Sequence, residues 1–151
     1  DDLHFMPEGL YLRMSQHEST SGLLADDPSL FGTLDQAYES DMEKGAGAPR
    51  IVERPDFAVV SLPDAPWARR ASGVLGNDLA NTFPDRAHAV PTDISRGYPA
   101  SVRAPLNRRR GADEVCRQFE TGGGRSAAAG INKLPQSELN RFIDVMGAQY
   151  G

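Results

Sequence analysis

The chain has 151 residues, 39% hydrophobic and 25% charged, the balance expected of one folded domain with an appended segment. No apolar run approaches the ~20 residues of a membrane-spanning helix, and the first residues lack a basic-then-apolar leader, so no membrane is expected and the cytoplasm is the default location. A lone cysteine, Cys116, excludes an internal disulfide.

The net charge of −5 is unevenly spread: residues 1 to 48 carry ten acids and two bases, whereas residues 96 to 133 carry eight bases and three acids. This asymmetry points either to an anionic ligand at the basic part or to mutual attraction between the two parts.

In chain order, residues 1 to 26 read as an irregular segment. Asp26-Asp27 resembles a metal-binding pair, but Pro28 follows at once, which favours a helix cap. Leu30, Phe31, Leu34, Tyr38 and Met42 then repeat at helical spacing, and Gly45 to Pro49 ends the helix as a linker. A domain boundary is therefore expected near residue 49, with 1–48 a connector and 49–151 the compact domain. Phe57 to Leu62 has the apolar character of a buried strand. A helix follows with Trp67, Ala71, Val74, Leu75 and Leu79 on one face, and Trp67 at that spacing is expected in the core. Ala87 to Thr92 and Tyr98 to Ala104 are predicted strands, joined closely enough for an antiparallel hairpin. Ala112, Val115, Cys116 and Phe119 predict a further helix, with Cys116 in the core. A short strand near Gly130 to Leu134 and a last helix carrying Leu139, Phe142, Ile143 and Met146 complete the pattern. The expected fold class is α/β (α+β), a mixed sheet of four to five strands flanked by helices and preceded by a helical connector.

The stretch with the most chemical character is Gly122-Gly123-Gly124-Arg125-Ser126-Ala127-Ala128-Ala129-Gly130. Three glycines let backbone amides come close to a ligand, and alanines readily form helix. Amides at a helix start beside the Arg125 guanidinium would suit a phosphate, with Ser126 capping the helix or donating to that phosphate. The plainer alternative is a tight loop whose glycines only permit close packing. Arg108-Arg109-Arg110 is either a solvated turn or a track for a nucleic-acid backbone. Tyr98, between Gly97 and Pro99, is a candidate base-stacking residue.

A strand ending Ser101-Val102-Arg103, a helix ending Cys116-Arg117-Gln118-Phe119, the triple glycine and a closing amphipathic helix together resemble the C-terminal substrate-binding domain of DHH-family phosphoesterases. A related domain ends alanyl-tRNA synthetases. The resemblance covers roughly residues 50 to 151. It implies that Arg103, Gly122, Gly123 and Gly124 hold the phosphate and sugar of a terminal nucleotide, from a short oligonucleotide or a phosphorylated small molecule. Members of the family usually carry histidine after the glycines, where this chain has Arg125. Arginine still binds phosphate through paired N–H donors but stays protonated.

The resemblance also implies an N-terminal catalytic domain holding two manganese ions on an Asp-His-His signature. This chain has no such run. His4, His17 and His88 are isolated and read as surface or packing residues. On this reading the chain binds substrate, carries no cofactor of its own and is inactive alone, with the preceding catalytic domain as its partner. The alternative reading is a non-catalytic RNA-binding or interaction module like the synthetase domain. Exposed Leu10, Tyr11 and Leu12 would favour association of two copies.

Overall fold

A computed structural model describes residues 28–93 and 97–151. The expectations for residues 1–27, including His4, His17, the Asp26-Asp27 cap and the apolar Leu10 to Leu12, lie outside them. Helix α1 spans Pro28–Ala46. Strands β1 (Arg50–Glu53) and β2 (Phe57–Val60) follow, then helix α2 (Pro66–Thr82), β3 (Ala87–Pro91) and β4 (Tyr98–Arg103). Helix α3 (Ala112–Cys116), β5 (Gly122–Gly124), β6 (Ala128–Leu134), a short 3-10 turn (Gln136–Glu138) and α4 (Leu139–Tyr150) complete the chain.

Local chemistry accounts for the helix ends. Pro66 opens α2, where its missing N–H costs no hydrogen bond. The helix closes at Phe83, whose amide donates to the Leu79 carbonyl, just before Pro84. Its buried face is Ala68, Ala71, Leu75, Gly76, Leu79 and Ala80, at helical spacing.

The six strands form one mixed sheet in the order β1-β2-β3-β4-β6-β5. β2 and β3 are parallel, with α2 as their crossover, and every other neighbouring pair is antiparallel. The β3–β4 pair is the expected hairpin.

Strand alternation divides the core into two layers. Phe57, Val59, Ala87, Ala89, Ala100, Val102, Ala129 and Ile131 face α3 and α4, where Phe142 and Met146 are fully buried. Val60, Leu62 and Val90 face α2, with Trp67 packed alongside. Each large side chain buried in this way contributes roughly 1.5–3 kcal/mol. On the outside of α2 lies α1, joined to it by the Asp41–Arg70 ion pair at 2.9 and 3.1 Å. Among the described residues no helix is long and apolar enough to cross a membrane.

Three expectations are corrected. The triple glycine is a strand, not a loop opening a helix. The alanines after it form β6, because Ala128 and Ala129 pair with Arg103 and Val102 of β4. Ladder bonds on both sides of β6 outweigh alanine's helical preference. Ser126 therefore caps no helix; it sits with Ala127 in the turn of the β5–β6 hairpin, which the Arg125 and Ala128 amides and carbonyls close at 2.9 and 3.1 Å. Finally, α3 is a single turn and a half, and Phe119 reaches the core after its end, edge-on to Phe142 at 5.7 Å.

The glycines of β5 are not equivalent. A Cβ on Gly122 would lie 1.7 Å from the Cys116 carbonyl oxygen, and Gly124 has φ 140° with Ala129 directly against it. A Cβ on Gly123 would meet nothing within 4 Å. Gly122→Ala is therefore expected to destabilise the fold by about 2–4 kcal/mol, while Gly123→Ala stays within about 0.5 kcal/mol of wild type. Chemical denaturation of the two variants side by side checks this; equal losses would mean that Gly122 does not carry the contact.

Candidate functional site

On the α2 side of the sheet the helix covers only part of the strands. It packs over β3 and β4. β6 and β5 extend past it, and the residues they present on that side are Ala128, Gly130, Asn132 and Gly123, none of them buried. Register places Ser101, Gly130 and Gly123 in one cross-strand row, and Arg103 opposite Ala128 in the next. The result is a groove whose floor is backbone and whose wall is α2 at Ser72, Gly73, Gly76 and Asn77. A Cβ on Gly76 would lie 3.5 Å from the Arg103 and Ser101 side chains, and Ser101 donates to the Ser72 carbonyl at 3.5 Å.

Arg103 is the charged group of this groove. Its Nε donates to Asn77 Oδ1 at 2.7 Å, Nη1 to the Val102 carbonyl and Nη2 to the Gly73 carbonyl, both at 3.3 Å. All three acceptors are neutral. A guanidinium has five N–H donors, so one on each terminal nitrogen remains available, the arrangement that takes two oxygens of a phosphate or carboxylate. Among the described residues Arg103 forms no ion pair. Burial holds it below the usual arginine range, yet it stays a cation. A half-buried cation without a counter-charge favours an anionic ligand.

Arg125 is exposed, and the hairpin pairs it with Ala128, which in turn lies opposite Arg103. The fold thus gathers Arg103, Gly123 and Arg125 at one end of the sheet. Gly122 and Gly124 turn instead towards α3 and the ladder, where they serve packing. Ser126 is exposed at the hairpin turn, and its carbonyl accepts from the Ala112 amide. Tyr98 sits at the far end of β4, opposite Leu134, and packs against the core on the α3 and α4 side, away from Arg103. Asn77 belongs to the groove without any local signal in the sequence, and Ser101 and Gly130, which stood within the quoted motifs, carried no sign that they lie opposite one another. Only the register brings them together.

Cys116 is fully buried, and desolvation with the nearby Asp113 pushes its thiol up to about 12, so it is a packing residue. Among the described residues no three His, Cys, Asp or Glu side chains group closely enough to hold a metal ion.

No family model and no curated protein sequence matches this chain. Its fold does match solved structures. The pGpG-specific phosphodiesterase PggH of Vibrio cholerae aligns over 97% of this chain with a TM-score of 0.58 and 12% identity. RecJ of Thermus thermophilus, solved with Mn2+, aligns over 91% with a TM-score of 0.57 and 15% identity. The chain has the fold of a DHH-associated domain.

The C-Ala domain of Aquifex aeolicus alanyl-tRNA synthetase aligns over 68% of this chain, with a TM-score of 0.50 and 14% identity. The chain spans 99% of that domain but only 53% of PggH and 22% of RecJ.

In this DHH-associated fold His88 lies directly across the ladder from Arg103. Its ring is 1% exposed, Nε2 lies 3.5 Å from the Phe83 carbonyl and Nδ1 has no hydrogen-bond partner among the described residues. Burial, with Arg86 adding to it, lowers its pKa from 6.5 to about 4. The folded value lies below the unfolded one, so folding favours the neutral ring. The stability this contributes is complete above pH 6.5 and drains away as pH falls towards 4. His88→Gln should therefore flatten the stability profile between these limits by at most about 3 kcal/mol. Urea midpoints of both proteins across that range test it; parallel profiles would rule it out.

Proposed function

We propose that this chain is the substrate-binding part of a phosphoesterase, and that it holds a terminal phosphate of a short oligonucleotide or nucleoside phosphate between Arg103 and the glycine floor. The observation that carries this reading is Arg103 itself, a half-buried guanidinium held by neutral acceptors with two N–H groups to spare. The open backbone at Gly123 and Gly130 gives a sugar or base room beside it, and Arg125 adds a second cation at the rim. The likeness to PggH and RecJ supports this at the level of the fold.

Hydrolysis itself would need a metal centre of the kind the DHH resemblance implies. The described residues offer no ligand set for one, so they are assigned binding and orientation only. The metal-bearing domain would be the partner of this one in the complete protein. A second reading, an RNA-binding module, draws support from the near-complete coverage of the C-Ala domain. It predicts binding of structured RNA that is indifferent to a terminal phosphate.

A titration with a 5′-phosphorylated dinucleotide, beside the same dinucleotide lacking the phosphate, separates the two. The phosphate should tighten binding about tenfold or more, as two charge-assisted hydrogen bonds imply. Arg103→Ala should remove that gain. Gly123→Leu should block binding while leaving the melting temperature unchanged, because the added side chain enters the groove and not the core. Arg125→Glu should weaken the phosphorylated ligand alone. Equal binding of both dinucleotides by wild type would transfer the assignment to the RNA module.

A further inference from the structure

We propose that the pocket between Arg108, Arg110, Gln149 and Tyr150 is a second phosphate subsite, taking a downstream phosphate of a single nucleic-acid strand whose terminal phosphate lies at Arg103. The proposal rests on the reading above for the position of the strand's end. The pocket encloses about 180 Å³ and is lined by two guanidinium groups, an amide and a phenol, with no carboxylate. Among the described residues neither Arg108 nor Arg110 is in an ion pair, and both are exposed. Of the neighbouring acids, Asp85 accepts from Asn107 and Asp113 pairs with Arg117 at 3.1 Å, while Glu114 accepts from the pocket's own Gln149 amide at 3.2 Å and so stands at its margin without pairing either arginine.

The arginine loop is fixed in place rather than merely charged. The Arg108 and Arg109 amides both donate to the Pro105 carbonyl, at 3.0 and 2.7 Å, and the Asn107 amide donates to the Pro84 carbonyl at 3.2 Å. Arg109 takes φ 38°, uncommon for a residue with a side chain, which turns the chain sharply between Arg108 and Arg110. Tyr150 donates from its hydroxyl to the Arg110 carbonyl at 3.4 Å and forms the pocket's far side.

The loop and the groove also share a support. Ala104 and Ala112, which flank the loop, donate their amides to Ala127 and Ser126 in the hairpin turn, each at 3.0 Å. The hairpin that carries Arg125 therefore joins the groove to the loop, and a strand leaving Arg103 passes Arg125 before it reaches the pocket. The pocket is on the α4 side of the sheet and the groove is on the α2 side, so the ligand must turn around the sheet's end. A duplex with a persistence length of ~150 base pairs resists such a turn, whereas a single strand follows it readily.

The test uses the full 151-residue chain, 5′-phosphorylated oligonucleotides of two and six residues and the hexamer without its terminal phosphate, with wild type, Arg108→Ala/Arg110→Ala and Arg108→Lys/Arg110→Lys. Wild type should bind the hexamer about tenfold more tightly than the dimer. One extra neutralised phosphate at ~0.7 released counterions should also make hexamer affinity fall about 2.5-fold more between ~50 and ~200 mM salt. The double alanine variant should lose both effects and keep dimer binding, and the lysine variant should restore part of them. Equal affinity for both lengths, or the same loss for dimer and hexamer in the alanine variant, would overturn the proposal. A hexamer that binds through Arg108 and Arg110 regardless of its terminal phosphate would retain the subsite and overturn the Arg103 reading instead.

Discussion

The contact on which this fold depends is one in which a side chain is impossible. The Cys116 carbonyl occupies the space where a Cβ on Gly122 would stand. That approach lets β5 lie directly on the end of α3, which brings the hairpin turn to the flanks of the arginine loop. An atom added there would lift the strand from the helix and, with it, the supports at Ala104 and Ala112. Close packing in protein interiors leaves little slack to absorb such a shift.

The two sides of the sheet divide the work of the molecule. Towards α3 and α4 the strands present apolar side chains such as Phe57, Val102 and Ile131. Towards α2 they present His88, Arg103 and Ser101 beside Val60 and Val90. The same helix that covers the polar residues also supplies acceptors for Arg103, so the cation is positioned by backbone carbonyls and an amide rather than by a carboxylate that a ligand would have to displace. Elements on both sides hold the guanidinium in one place, and under the proposed function this would reduce the ordering needed on binding.

Much of the fold was readable from residue patterns. β2 and β3 are largely apolar runs buried on both faces, β4 and α2 each bury one face, although Val74 of α2 is exposed, and α4 carries Phe142 and Met146 at helical spacing. β1 gave no signal because it is an edge strand with only Val52 half-buried. β5 gave none because a run of glycine has no side chains to alternate, and the alanines of β6 suit a helix as well as a strand until their partners are known. At the candidate site, Arg103 and the glycines were named through their resemblance to a family. The resemblance did not distinguish Gly123, which opens the groove, from Gly122, which closes the core. Nor could a local reading find Asn77, which meets Arg103 across 26 residues of sequence.

The shortness of β5 has a consequence for the protein as a solute. Edge strands expose unpaired backbone groups that can recruit strands from other molecules. Here the exposed edge is three residues of glycine, bounded by the turn at Thr121 and the φ 140° of Gly124. So short and pliable a rim offers little template for a foreign strand. The opposite edge, β1, is guarded by the Arg50–Glu53 pair, reinforced from Arg86. A sheet whose described strands end in β1 and β5 is thereby kept from growing.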